Sequence, residues 1–503
     1  MKILLDTNVA IKLEDPKPVD PQAANLAQLC QKHNLTLHVS DANYADINRD
    51  RDSERRQLTF SKLEKYVRLR EVALDSESDL IRRFGPIRNE NDRCDLQLLG
   101  ILDKKAVDLL ISEDTDLIHR AERGNLGGKV LSIADAVDFV RRTYESHTVE
   151  LPCIEEVPAY QIDVEDVFFD SLREDYPGFN EWFEEKCVNS HRPCWVIRFD
   201  GKLAGLVIRK PETQEEADCA TRADKILKVS TFKLAPEYQG EKFGEQLLKQ
   251  VLWWSRSNDI EVVYLTAFKK QQVLIGLLET YGFHKTRTLD DGQWVLEKEL
   301  KKNVLSDTSY QQDPVSFNRR IYPAYYDGPE SRKFVVPILP RFYRILFPEA
   351  FPDSQLSLFE GSSPDMNRTP GNTIRKIYIC LAPTTKLEPG SVILFYATKD
   401  ERRLQSQSIC TVGVVERVTE ASTLNELMLL TTRRSAYTRK QLEDLVDNSE
   451  RPLKVIDFLL TLHLSKPIDL HTLIANGILE GPPQSITLIP EGRYHRLKDW
   501  LQE

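Results

Sequence analysis

Five aspartates in the first part of the chain stand at positions where their carboxylates can converge on a cation. Asp6 follows the apolar run KILL, and Asp114 follows a second apolar run, DLLIS, at 108–112. Carboxylates that converge repel one another unless a hard cation such as Mg²⁺ or Mn²⁺ neutralises them. Such a metal activates water and shields phosphate charge, which is the chemistry of phosphodiester hydrolysis. The five are Asp6, Asp46, Asp95, Asp114 and Asp116. Taken singly, each is equally explained as a turn residue or a helix cap.

A second candidate site is a loop in the middle of the chain, between a strand-like run ending near Leu234 and an amphipathic helix from about Gly244. Glycines let backbone N–H groups point toward one place, and the helix N-terminus adds partial positive charge, so a pyrophosphate can bind there without a metal. A glycine between strand and helix also serves packing alone. The loop consists of Gln239, Gly240, Glu241, Lys242, Phe243 and Gly244.

These two sites belong to different segments of a long chain. With 503 residues the chain exceeds one hydrophobic core, so about three domains are expected. Alternating strand and helix patterns fill the first two segments, and β-branched and aromatic runs separated by turns fill the last. The sequence therefore predicts a multidomain α/β and α+β protein with domains at 1–147, 160–302 and 371–503, and a proline-rich linker or strap at 303–370.

The composition indicates the environment in which the protein is expected to occur. Hydrophobic residues make up 41% and charged residues 29%, and no apolar run approaches the roughly 18 residues that span a bilayer. The eight cysteines are scattered without zinc spacing, which predicts free thiols and a cytoplasmic location without membrane contact. The formal net charge of −10 means that any nucleic-acid site must be local.

Residues 1–147 resemble the PIN-domain nucleases, through LLDTN, VSDANYAD, the helix that Asp95 opens, and SEDTD. The resemblance implies an α/β sandwich and a metal-dependent ribonuclease. It gives all five aspartates catalytic roles, with Mg²⁺ or Mn²⁺ held by Asp6, Asp95, Asp114 and Asp116. At position 46 the family usually has glutamate, so Asp46 departs from the pattern and Asp41 is a rival. Residues 49–70 hold eight Lys/Arg against four Asp/Glu. That excess indicates either a phosphate contact or a solvated helix face with paired charges.

Residues 160–302 resemble the GNAT acetyltransferases, on the loop at 239–244, the hairpin WVIRFDGKLAGLVI, the strand EVVYLTAF and the helix LIGLLETYGFHK. The resemblance implies acetyl-CoA as cofactor. Its pyrophosphate would lie at residues 239–244, its pantetheine would bond the backbone from Phe232 to Leu234, and an amine would attack the thioester. The family's usual acid, a tyrosine, is Leu278 here.

Two questions about the GNAT chemistry stay open from the sequence. Tyr281 is either an aromatic packed on its helix or a displaced acid. No base stands out, since Ser230, Thr231 and Glu237 all lie near the expected cleft.

The segment LEPGSVILFYATKDERRLQSQSICTVGVVERV resembles the PUA-like barrels, which include ASCH and EVE relatives. The resemblance implies a C-terminal β-barrel that binds RNA, with Arg402, Arg403, Arg433 and Arg434 as candidate contacts, although these arginines are equally explained as exposed loop residues. The strap before it interleaves basic and aromatic residues. That pattern suits either a grip on single-stranded RNA or packing against the barrel.

Together these features predict an acetyl-CoA-dependent acyltransferase joined to a metal-dependent PIN ribonuclease. RNA, including tRNA, is the expected target, and a toxin-like or defence role with an antitoxin or regulatory partner protein is the expected setting. One alternative is a GNAT enzyme that acetylates a protein or small amine, with flanking docking domains. The other is a non-enzymatic acetyl-CoA sensor.

Overall fold

A computed structural model describes most of the chain. The described residues are 1–14, 21–70, 72–145, 153–199, 201–238, 243–300, 308–350, 368–370, 373–399, 406–431, 437 and 439–502. Gln239 to Lys242, and the four arginines predicted to contact RNA, lie outside them. The chain divides into two compact units. The first comprises Met1–Val149, Glu237–Glu241 and Ala421–Asn448, and the second comprises Glu150–Pro236, Lys242–Glu420 and Ser449–Glu503.

The first unit is built on a parallel sheet in the order β3-β2-β1-β4-β5. Its central strands KILL and LLI are apolar and buried, as expected of parallel strands with both faces covered. Ile3 pairs with Leu37 on one side and with Leu109 on the other. The strands are β1 Lys2–Leu5, β2 Thr36–Ser40, β3 Val67–Leu69, β4 Leu109–Ile111 and β5 Val130–Leu131.

Eight helices accompany this sheet in the described part of residues 1–145. They are α1 Thr7–Glu14, α2 Pro21–Lys32, α3 Asp41–Asn48, α4 Ser53–Leu63, α5 Glu77–Phe84, α6 Glu90–Asp103, α7 Thr115–Arg123 and α8 Ile133–Tyr144. The α/β architecture expected for this region is therefore present. One detail of the prediction is wrong: Asp95 does not open its helix, because Asn89 caps α6 by accepting the backbone N–H of Asp92.

The basic segment 49–70 contains α4 and β3, and its charges are largely paired. Asp52 caps α4, Arg55 pairs with Asp50, and Arg68 pairs with Asp41 at 2.6 Å. This pairing is the arrangement expected of a solvated helix face.

The second unit begins with a sheet in the order β11-β12-β10-β9-β8-β7-β6-β14. Only the central pair, β9 and β10, is parallel, and the predicted hairpin with its turn at Gly201 joins β7 to β8. The strands are β6 Cys153–Pro158, β7 Pro193–Phe199, β8 Lys202–Glu212, β9 Ile226–Leu234, β10 Val262–Ala267, β11 His284–Thr288, β12 Trp294–Glu299 and, from the strap, β14 Arg368–Pro370. The helices are α9 Asp170–Asp175, α10 Phe179–Trp182, α11 Phe243–Ser257 and α12 Gln272–Thr280, with a π-helical turn at Phe183–Val188 after α10.

The remaining strands form a mixed sheet in the order β15-β18-β17-β16-β13-β19. Among the described residues this sheet does not close, so the predicted barrel is an open sheet here. Part of the strap belongs to it, because β13 pairs with β16 and Tyr343, Leu346 and Phe347 are buried in its core. The strands are β13 Lys333–Ile338, β15 Arg375–Cys380, β16 Val392–Ala397, β17 Ser408–Ala421, β18 Leu453–Asp469 and β19 Thr487–Ile489.

The C-terminal helices separate into two groups. Between β17 and β18 the chain inserts two helices that belong to the first unit, where Arg439 donates a hydrogen bond to the carbonyl oxygen of Thr143. These are α15 Leu424–Thr431 and α16 Arg439–Asp447. The others are α13 Pro314–Ile321, α14 Pro340–Leu346, α17 Leu470–Ala475 and α18 Glu491–Gln502. No helix in the described part of the chain is long and apolar enough to cross a bilayer.

Candidate active site

The central sheet opens where β9 separates from β10. The parallel pairing of the two strands runs from Ile226 and Val262 to Val229 and Leu265, whereas β9 continues to Leu234. On its other edge β9 stays paired with β8 as far as Leu234. The backbone of Ser230 to Leu234 therefore presents hydrogen-bonding groups to the gap, and a ligand that adds alongside β9 can satisfy them.

A cavity of about 380 Å³ lies at this opening. Its floor comes from β9 and β10, and its wall comes from the segment around α10. The aromatic lining residues are Tyr176, Phe179, Trp182 and Phe232, and the charged ones are Arg192, Glu212 and Lys228. This mixture of apolar wall and few charged groups is typical of a small-molecule site.

The segment that forms the wall is fixed to the sheet by several contacts. Lys270, after β10, pairs with Asp175, and the rings of Tyr176 and Phe268 lie 5.3 Å apart. Lys233 of β9 donates a hydrogen bond to Ser171 of α9. The cavity is therefore preformed.

Two of the three charged lining residues have partners of opposite charge. Glu212 accepts hydrogen bonds from the buried Tyr264 hydroxyl and, at 3.0 Å, from Lys210. Lys228 pairs with Asp218 at 2.9 Å. Glu212 is the one carboxylate among the described lining residues, and the contacts from Tyr264 and Lys210 fix its orientation.

The third charged lining residue, Arg192, has only neutral side-chain partners among the described residues. Its guanidinium donates to the Ser230 hydroxyl at 3.2 Å and lies 5.9 Å from the centre of the Trp182 ring. It also bonds the Cys187 thiol, which is neutral because burial raises its pKa to about 11.

Helix α11 begins close to the end of β9, as the sequence predicts. A Cβ added at Gly244 would lie 3.2 Å from Leu277 and 3.4 Å from Leu234, so glycine here lets α11 approach both α12 and β9. Of the predicted cofactor loop, only Phe243 and Gly244 are described; both are in the first turn of α11. The first N–H groups of a helix lack partners within it, and they face an anion with favourable polarity. The open edge of β9 and this N-terminus together fit an extended ligand that ends in phosphates.

The comparisons with known proteins bear on this region. Residues 157–283 match the acetyltransferase (GNAT) family model. They form a GNAT acetyltransferase domain. This match confirms the predicted family of the central domain, and it supports acyl-CoA-dependent acyltransferase activity and acetyl-CoA as the cofactor. No curated protein sequence matches the chain.

Solved structures similar to parts of the chain include acetyltransferases and ASCH proteins. NAA60 of Arabidopsis thaliana, in complex with a bisubstrate analogue, is 18% identical over 29% of this chain and 97% of its own, with a TM-score of 0.24. A GNAT acetyltransferase from Elizabethkingia anophelis with acetyl-CoA bound is 14% identical over 29% of this chain and 98% of its own, with a TM-score of 0.23. ASCH from Zymomonas mobilis is 19% identical over 33% of this chain and 94% of its own, with a TM-score of 0.23.

Within the GNAT domain, neither Leu278, which stands where the family's tyrosine is usual, nor Tyr281, the candidate displaced acid, is a lining residue of the cavity. Leu278 is 1% exposed on α12. Tyr281 is also 1% exposed, and its ring packs against Tyr322 at 5.7 Å. Burial raises the pKa of Tyr281 well above its usual value, and its hydroxyl has no hydrogen-bond partner among the described residues. This environment is that of a packed aromatic.

Of the three residues that the sequence places near the cleft, two line the cavity. Ser230 and Thr231 do so from β9, whereas Glu237 is not among the lining residues. Arg192, Glu212 and Tyr176 were missed, because they come from segments without a motif. Their one sequence signal is position: Glu212 ends the long strand β8, and Arg192 immediately precedes β7.

In the first unit, Asp6, Asp95 and Asp114 influence one another electrostatically. Asp6 is 7% exposed and accepts hydrogen bonds from Thr7 N and Ser112 Oγ, each at 2.6 Å. Burial, with the nearby charge of Asp114, raises the pKa of Asp6 to about 6. Burial, with the charges of Asp114 and Asp6, raises the pKa of Asp95 to about 7.

The other two predicted catalytic aspartates are paired with arginines. Asp46 pairs with Arg49, and Asp116 accepts from Arg88 at 2.7 Å, which also binds Asp92. In the described part of the chain no group of three or more His, Cys, Asp or Glu side chains has the arrangement of a metal site. The donor atoms suit Mg²⁺ or Mn²⁺, but the predicted ligand set is not assembled among the described residues, and Asp116 is paired with Arg88 instead.

Proposed function

We propose that the protein is an acetyl-CoA-dependent N-acetyltransferase whose acceptor enters the cavity lined by Arg192, Glu212 and Tyr176. The observation that supports this most is the gap between β9 and β10, which leaves the backbone from Ser230 to Leu234 open beside the N-terminus of α11. A pantetheine arm can pair with that backbone, and its phosphates can lie at the helix N-terminus.

The chain's own residues supply the rest of the chemistry. Acetyl-CoA, when bound, supplies an activated acyl group for attack by an amine. Glu212 accepts the proton that the amine loses, and the Tyr264 hydroxyl and Lys210 keep its carboxylate in place. The C–S bond of the thioester breaks as the amide bond forms, and the departing thiolate needs a proton. Tyr176 holds a proton at its hydroxyl, since burial raises its pKa to about 12, and it would donate that proton to the departing sulfur from the cavity wall.

Transfer of label from radioactive acetyl-CoA tests this proposal. The purified full chain is incubated with separate RNA, protein and small-metabolite fractions from cells, and label is counted in each. Label in any fraction supports transfer, and its fraction identifies the class of acceptor, with RNA or aminoacyl-tRNA expected from the proposed RNA target. Binding of acetyl-CoA in calorimetry without label in any fraction would instead support the sensor alternative.

A metal-dependent ribonuclease in the first unit is the second candidate function. It is favoured by the mutual repulsion of Asp6, Asp95 and Asp114, which a divalent cation relieves. This nuclease would act on RNA, including tRNA, with the C-terminal region choosing the RNA and a regulatory protein restraining it, as in toxin-like or defence proteins.

The nuclease test is cleavage of total RNA with Mn²⁺, with and without a chelator. We expect cleavage that the chelator abolishes and that Asp6→Asn with Asp114→Asn removes. The matched control is Asp135→Asn, in the first turn of α8. Cleavage that survives the double substitution contradicts this second function and leaves the acetyltransferase proposal untouched.

A further inference from the structure

Among the described residues that line the GNAT cavity, one cation has no carboxylate partner. Glu212 is opposed by Lys210, and Lys228 is opposed by Asp218. Arg192 bonds a hydroxyl and a thiol, both neutral, and in the described part of the chain no carboxylate forms an ion pair with it. A half-buried guanidinium with unused donors is a strong binding point for a planar or tetrahedral oxyanion.

We propose that the acceptor is a primary amine that also carries an oxyanion, a carboxylate or a phosphate, and that Arg192 binds this oxyanion. The inference rests on the proposed acetyltransferase function, and it adds the chemical class of the acceptor. The amine end reaches Glu212, and the oxyanion end lies between Arg192 and Ser230.

The position of Arg192 separates this role from cofactor binding. Arg192 is held at Ser230, the first residue of β9 beyond its pairing with β10. A strand rises about 3.3 Å per residue, so Ser230 is about 13 Å from Leu234 along β9, and α11 begins still further along the chain. The phosphates of a cofactor at α11 are therefore at the far end of the cleft, and an anion at Arg192 belongs to the acceptor.

The wall beside Arg192 favours an acceptor with a flat apolar part. Trp182, Phe179 and Tyr176 form this wall, and the Arg192 side chain lies beside the Trp182 ring. An aromatic or aliphatic body can pack there while the guanidinium holds the charged group.

Two matched pairs of acceptors test the inference with the full chain and acetyl-CoA. Phenylalanine and phenylalaninamide differ only in the carboxylate, and phosphoethanolamine and ethanolamine differ only in the phosphate. We expect kcat/KM to favour the anionic member of at least one pair roughly tenfold or more, as for a hydrogen bond to a charged group. The pair that shows the preference identifies the oxyanion.

The variant Arg192→Gln should remove this preference, chiefly through KM, and Arg192→Lys should restore part of it. The control is Arg198→Gln, on the strand β7 that Arg192 precedes but outside the cavity lining, which should leave the preference unchanged. The affinity for acetyl-CoA, measured by calorimetry, should be equal in all three variants and the parent. Thermal unfolding checks that each variant is folded.

The outcomes separate the two proposals. Equal rates for the anionic and neutral members, or a preference that Arg192→Gln retains, overturns the inference while the acetyltransferase function stands. A loss of acetyl-CoA affinity in Arg192→Gln also overturns it, because Arg192 would then contact the cofactor. Absence of acetylation of all four amines overturns the inference too, and the labelling of cell fractions then decides the proposed function by itself.

Discussion

The GNAT cavity and the aspartate cluster of the first unit, which consists of Asp6, Asp95 and Asp114, differ in how their charges are balanced. In the cavity, Glu212 and Lys228 are each opposed by a charge of opposite sign. In the cluster, Asp6 and Asp95 are buried beside another carboxylate, and their pKa values rise to about 6 and about 7. The cavity is therefore organised before its ligands arrive, whereas the cluster needs a proton or a cation to relieve its repulsion.

The contrast between the two sites fails if the oriented carboxylate of Glu212 takes no part in catalysis. We expect Glu212→Gln to lower kcat about a hundredfold or more with little change in acetyl-CoA affinity, as for loss of a general base. The matched control is Glu216→Gln, which also removes a Lys210 partner but from outside the cavity lining. Steady-state kinetics with a labelled acceptor measures the effect. An unchanged kcat in Glu212→Gln contradicts the assigned role.

The repulsion in the cluster predicts a pH dependence of stability. The folded protein keeps the protons of Asp6 and Asp95 up to about pH 6 and 7, whereas an ordinary aspartate releases its proton near 3.8. The free energy of unfolding therefore falls by about 1.4 kcal/mol per pH unit per group as pH rises through this window. The loss is absent below pH 3.8 and complete above about pH 7.

A cation that binds the ionised cluster should reverse this loss. At pH 8, Mn²⁺ at a hundredfold excess over its dissociation constant should add about 2.7 kcal/mol, and at pH 5 much less. Hydrogen exchange of the β1 and β4 amides in the full chain reports the stability of this unit. The double variant Asp6→Asn with Asp95→Asn should lose both the pH dependence and the Mn²⁺ gain. An equal Mn²⁺ gain in parent and variant shows that the ion binds elsewhere.

A third experiment separates the packed and catalytic interpretations of Tyr281. Removing a buried hydroxyl that has no partner among the described residues should stabilise the protein, so Tyr281→Phe is expected to raise the free energy of unfolding by about 1–3 kcal/mol. The turnover rate should stay the same. The matched variant Tyr322→Phe should destabilise, because the Tyr322 hydroxyl accepts a 2.5 Å hydrogen bond from Trp253. A large fall in kcat for Tyr281→Phe instead identifies it as the acid.

The sequence predicts best those features that depend on a single strand or helix. The runs KILL and EVVYLTAF are β1 and β10, and the helix expected from about Gly244 is α11. Contacts between distant segments were not predictable: Ser230 meets Arg192 across the sheet, and Glu212 meets Tyr264 from another strand. The predicted barrel is an open sheet in the described residues. Closure could not be predicted, because the sequence pattern of single strands does not indicate whether the last strand pairs with the first.

The smallest expected effect concerns the arginine that separates two carboxylates of the first unit. Arg88 binds Asp92 and Asp116, and its side chain is 59% exposed, so its ion pairs are screened by solvent. Arg88→Gln should therefore change the melting temperature little. If Arg88 releases Asp116 to bind the phosphate of an RNA, the same variant should raise KM for RNA roughly tenfold with kcat nearly unchanged. Arg82→Gln, another exposed arginine paired with an aspartate, is the control and should change neither quantity. An unchanged KM in Arg88→Gln means that Arg88 only neutralises its two aspartates. The first unit then gives Arg88 no role like the substrate-binding role that we propose for Arg192 in the GNAT cavity.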